Sequence, residues 1–124
     1  MVLRSELIAE LIENGIRCTP ENIVRIAKLT DGKIVFLETG NSKAGLQHIL
    51  ESHAADFSNK GISSEQIPDA IITAVTQGTI VGYLGTGNKP RPIYQVSFQG
   101  TSQYIAVTIS ENGFIVGANP TSFI

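Results

Sequence analysis

The sequence predicts an α+β domain, with N-terminal helices packed on a four-stranded antiparallel β-meander. Three observations carry this. Apolar residues recur at helical spacing through much of the first half of the 124-residue chain, and from Thr79 the repeat shortens to two. Four apolar runs then follow one another with short Gly-, Asn- and Ser-containing breaks, as hairpins require and crossovers do not. Helices gathered on one side of an antiparallel sheet make an α+β architecture.

The elements follow in order. Leu3, Leu7, Ile8, Leu11 and Ile12 fall on one helical face, so Val2 to about Asn14 reads as an amphipathic helix ended by Gly15. Thr19-Pro20-Glu21 is a helix start, and a short helix or turn is expected through Asn22–Leu29. Asp31-Gly32 is a turn and Lys33–Glu38 a strand. Gly40-Asn41-Ser42 breaks the strand, and a helix follows from about Ser42 to Phe57. Ser63 or Ser64 caps a further helix, Ser64–Gln77, with Pro68 in its first turn and Gly78 at its end. Thr79–Leu84, Pro92–Phe98, Gln103–Ser110 and Gly113–Ala118 read as the four strands, and Asn112-Gly113 is a strong hairpin signal. One face of Gln103–Ser110 is Gln103, Ile105, Val107 and Ile109, fit for a core. The other is Tyr104, Ala106, Thr108 and Ser110, small and polar enough to meet a ligand.

A chain of this length is one domain. We divide it into an N-terminal helical and strand extension, residues 1–40, and a core, residues 41–124. Hydrophobic content of 42% argues against disorder, and the short apolar runs argue against a membrane span. Acidic Glu6 comes too early for a signal peptide, and with Cys18 alone there is no internal disulfide, so a cytoplasmic setting is expected. Delivery into a target cell's cytoplasm by another protein is compatible with this. A net charge of −2 does not advertise nucleic-acid binding. The distribution says more: Lys89 and Arg91 are the last cations, flank Pro90, and are followed by only one charged residue, Glu111. A local basic cluster of this kind can act within an acidic whole.

Groups suited to proton transfer are few. The two histidines, His48 and His53, share the segment Gly45–Phe57. On a helix, five residues turn by about 140°, so the two rings cannot point to one spot. His53 lies on a stripe with Leu46, Ile49, Leu50 and Phe57, which suits a buried residue tying helix to sheet; His48 flanks that stripe and equally suits a solvated position. Metal binding is not expected, because ligands at i+4 spacing are missing, and no cofactor is implied. Gly85-Thr86-Gly87 is an ordinary strand connection, but Lys89 and Arg91 in a Pro-stiffened loop can meet a phosphate with little ordering. Gly117 permits close backbone approach, and Asn119 places a polar group at the end of the last strand. Gly40-Asn41-Ser42-Lys43 offers a weaker anion site at a helix start.

The ordered set GLQHILESHAADF, then a helix with IPDAI, then a meander ending NGFIVGANP, resembles the barnase–EndoU–colicin–RelE-like nucleases, in their phage and polymorphic-toxin branches. The resemblance spans roughly residues 40–121. It implies metal-independent RNA cleavage, with His48, His53 and Asn119 catalytic and with Lys89, Arg91 and Thr121 toward the phosphate; Thr108, on the polar strand face, joins the phosphate-binding group. Asn119 stands where many relatives carry Ser or Thr, and the pI near 5.6 is low for a nuclease. The implied protein is a bacterial toxin or effector endoribonuclease, with tRNA among its candidate substrates and a cognate immunity or antitoxin protein as partner. Attack by the 2′-OH would leave a 2′,3′-cyclic phosphate. The rival reading is a binding module without catalysis: an immunity-like partner or an inactive nuclease relative.

Overall fold

The computed structural model describes residues 3–85 and 90–122. Helix α1, Arg4–Glu13, buries Leu7 and Leu11, four residues apart on one face. A single 3₁₀ turn, Pro20–Asn22, leads into strand β1, Ile23–Lys28, which pairs antiparallel with β2, Ile34–Glu38. The expected helix or turn over Asn22–Leu29 is therefore a strand. Ile23, Val24 and Ile26 are β-branched, and a fully buried β2 offers them a ladder that outweighs the helix-start signal. Thr19 does not cap through its side chain; its N–H instead donates to the Glu38 carboxylate at 2.9 Å.

Helix α2, Leu46–Asn59, begins later than its polar lead-in suggests. Asn41 Oδ1 accepts from the N–H groups of Lys43 (2.8 Å) and Ala44 (3.2 Å), closing a turn of its own. Gly45 then sits at φ +90°, outside the helical region, where a Cβ would stand 3.0 Å from the Glu38 carbonyl oxygen. The third helix, α3, Ile67–Gln77, follows a 3₁₀ turn at Ser64–Gln66 in which the Ser63 N–H donates to Gln66 Oε1 at 2.9 Å. It is the most deeply buried helix, with Ile67, Ala70, Ile71, Ala74 and Val75 turned inward.

Strands β3 (Thr79–Leu84), β4 (Arg91–Phe98), β5 (Thr101–Ile109) and β6 (Ile115–Pro120) form one antiparallel sheet in sequence order. The α+β meander predicted from the change of period is thus present. One face of the sheet gives Val96, Phe98, Ile105, Val107 and Ala118 to the main core, where they meet Ile49 and Phe57 of α2 and the apolar side of α3. The opposite face carries Arg91, Thr108 and Asn119, which form the site described below.

Strand β2 carries part of the segment 1–40 into both hydrophobic clusters. Val35 and Leu37 enter the main core, whereas Ile34 and Phe36 join a smaller cluster with Leu7, Leu11 and Ile23. A strand buried on both faces needs a continuous apolar run, and Ile34-Val35-Phe36-Leu37 is one. Within the smaller cluster Phe36 meets Phe114 edge to face, ring centres 5.8 Å apart. Beside them the Phe36 N–H donates to the Gly113 carbonyl at 2.9 Å. Among the described residues, no helix is long and apolar enough to cross a membrane.

Candidate active site at the edge of the meander

The site begins where α2 is fastened to the edge of the sheet. The Gly45 N–H donates to the Val116 carbonyl at 2.9 Å, so the first turn of α2 sits beside β6. Side chains on a helix lean toward its N-terminus, which carries His48 back over that strand. His48 Nδ1 lies 3.0 Å from the Ser42 carbonyl oxygen. A carbonyl can only accept, so Nδ1 holds the hydrogen of the neutral ring and Nε2 holds the lone pair.

Arg91, the first residue of β4, reaches across the same face. Its Nε donates to Thr108 Oγ1 at 2.6 Å and its Nη1 to Asn119 Oδ1 at 2.5 Å. Strand register makes this possible. Ala106 pairs with Ile93 and with Asn119, and Thr108 pairs with Gly117, so three neighbouring strands present these groups on one face. The two acceptors fix the plane of the guanidinium and leave Nη2 directed toward β6. Arg91 is half-buried, and desolvation lowers its pKa from the ordinary value; an arginine nonetheless stays protonated. Both side-chain acceptors are neutral. A half-buried cation held by neutral groups is a place that an anion would stabilise.

Gly117 lets the two reactive groups converge. A Cβ at that position would lie 3.6 Å from Arg91 Nη2, 3.7 Å from His48 Cδ2 and 3.9 Å from His48 Nε2. The imidazole and the guanidinium therefore border one small space above β6, and a side chain there would fill it. The close approach read from Gly117 in the sequence is an approach of these two side chains.

Of the residues singled out from sequence, the structure brings together His48, Arg91, Thr108 and Asn119. Thr108 and Asn119 hold Arg91, and Asn119 Nδ2 also donates to the Pro120 carbonyl at 3.2 Å. His53 is elsewhere: its Nδ1 pairs with Asp56 on its own helix at 2.9 Å, and its side chain is 30% exposed. It does not tie the helix to the sheet through that bond. Thr121 lies just past the end of β6, where its N–H donates to the Tyr104 carbonyl at 2.9 Å. Lys89 lies outside the described residues. Sequence reasoning took Ser42 only as part of a helix-start anion site and missed its contact with His48, which is made by a backbone oxygen and carries no residue-type signal.

No protein-family model matches the chain, and a search of curated proteins finds no match.

Proposed function

We propose that this protein is a metal-independent endoribonuclease whose reacting phosphate binds between His48 and Arg91. The observation that carries the reading is the convergence over Gly117 of an imidazole Nε2 and a guanidinium with neutral partners. Cleavage of RNA without a metal needs a base for the 2′-OH and a cation for the phosphorane oxygens. His48 Nε2 takes the 2′-OH proton, with Nδ1–H anchored on Ser42 so that the ring keeps its orientation as it becomes charged. The 2′-oxygen bonds to phosphorus and the P–O5′ bond breaks. The leaving 5′-oxygen takes a proton from water on the open face. Arg91, with two N–H groups committed to Thr108 and Asn119, has three others to offer the non-bridging oxygens. The product is a 2′,3′-cyclic phosphate, and DNA, which lacks the nucleophile, is not cut.

The test is incubation with tRNA and with unstructured RNA in EDTA. Cleavage to cyclic-phosphate ends by wild type, lost in His48→Ala, supports the reading. No cleavage of any RNA by folded protein at several pH values overturns it and leaves the binding-module alternative, which predicts no growth arrest on expression in bacteria.

A further inference from the structure

We infer that the same sheet face carries a second subsite, built by Lys60, Tyr104, Thr121 and Ser122, which grips the RNA strand about two nucleotides from the bond at Arg91. The identity of the ligand rests on the ribonuclease reading; the place rests on register and packing. Side chains on one face of a strand recur every second residue, so Tyr104 shares the face of Thr108. Thr121 continues the same face beyond Asn119, and its backbone is bonded to that of Tyr104. Four residues of β5 separate the Thr108 row from the Tyr104 row, about 13 Å of strand.

Helix α2 keeps step with this track. His48, Ser52, Asp56 and Lys60 recur every fourth residue and form one ridge, with steps of about 6 Å. Alternate residues of β6 advance by nearly the same step, about 6.6 Å. The ridge meets the sheet side near both of its ends. At one end His48 overhangs Gly117, and at the other Lys60 Nζ donates to Ser122 Oγ at 3.1 Å. Gln103 Nε2 donates to the Lys60 carbonyl at 3.0 Å, which ties the backbone bearing this cation to β5. The Asp56 carboxylate on the ridge is already engaged by His53.

A cavity of about 310 Å³ opens at that end, lined by Lys60, Ser102, Gln103, Tyr104, Thr121 and Ser122. A lysine among hydroxyl groups suits a phosphate, and a phenol ring beside it suits a stacked base without choosing its identity. The occupant is a single strand, because a base inside a duplex has both faces stacked on its neighbours and none left for the ring.

The experiment uses oligonucleotides with one ribonucleotide in an otherwise deoxy strand, so that only one bond can be cut. They are lengthened one nucleotide at a time on either side of that bond. Lengthening by two on one side only should raise kcat/KM about tenfold. In Lys60→Ala and Tyr104→Ser the ratio of long to short substrate should fall toward one. A wild-type ratio near one on both sides, or a ratio unchanged in Lys60→Ala, overturns the subsite. Fluorescence anisotropy with a 2′-O-methyl oligonucleotide separates this from the nuclease reading. If wild type cuts nothing yet Lys60→Ala weakens binding several-fold and lowers the salt slope by about one, the subsite stands and the catalytic reading falls. Unchanged affinity and slope overturn the subsite whatever the activity.

Discussion

At the scale of single residues, the two histidines separate by what their Nδ1 atoms touch. His48 Nδ1 is fixed by a backbone oxygen at the mouth of the site, whereas His53 Nδ1 is bonded to a surface carboxylate one turn along the helix. His48→Ala is expected to lower cleavage by about 10²–10⁴-fold, the usual span for loss of a general base. His53→Ala should leave cleavage within a few-fold of wild type and cost about 0.5 kcal/mol or less, as befits an exposed i,i+3 pair. Single-turnover kinetics and urea unfolding of both variants check this, and equal loss of activity in the two would refute the assignment. Arg91→Lys keeps the charge but cannot bond Thr108 and Asn119 while presenting further N–H groups, so a loss of about a hundredfold is expected in the same assay. Cys18 offers a check away from the site. Burial first, and then the nearby carboxylates of Glu38 and Glu21, push its thiol pKa up. At neutral pH the thiol is protonated, so alkylation by iodoacetamide should run slower than for a small free thiol and accelerate as pH rises. Glu38→Gln, which keeps an acceptor for the Thr19 N–H, should speed it.

At the scale of elements, two glycines of the last hairpin have opposite tolerances. Gly113 lies at φ +97°, and a Cβ there would stand 2.0 Å from the Ile34 carbonyl oxygen. Gly113→Ala should destabilise by about 2 kcal/mol or more, visible as a fall in Tm of several degrees, because both the backbone and β2 must give way. Gly117 shows no such conflict: its added Cβ would meet Arg91 and His48 at ordinary van der Waals distance. Gly117→Ala is therefore expected to fold with a stability change of about 1 kcal/mol or less while losing most of its cleavage activity, since the methyl occupies the space for the phosphate. A Gly117→Ala protein with full activity would place the reacting phosphate elsewhere. Element boundaries were legible where turn chemistry is local. Thr79–Leu84 was found in full, and Asp31-Gly32 does separate two strands. The strand at Ile23–Lys28 was not legible, because Thr19-Pro20-Glu21 is a sound helix start whose continuation is decided by β2, a partner outside the local window.

For the whole molecule, stability depends on joining two clusters through β2. Phe36→Ala removes a fully buried ring from the smaller cluster and its contact with Phe114, and should cost about 3–5 kcal/mol. Removing residues 1–40 also strips Val35 and Leu37 from the main core, so the remainder is expected to lose its cooperative thermal transition. Circular dichroism melts of the two proteins test this, and a truncated chain with a sharp transition would show that residues 41–124 fold alone.

The sequence by itself determined the α+β class, the order of the four meander strands and the pool of reactive side chains, because period, turn residues and residue type are local properties. It also determined that helical rotation forbids the two histidines from facing one point. Only the tertiary structure decided which histidine faces the sheet, since that depends on Gly45 bonding Val116 at the edge of β6. The tertiary structure likewise decided that Thr108 and Asn119 serve Arg91, because residues 17 and 28 positions away meet it only through strand register. The space above Gly117 belongs to no single segment; it exists because a helix and two strands leave room where one side chain is missing.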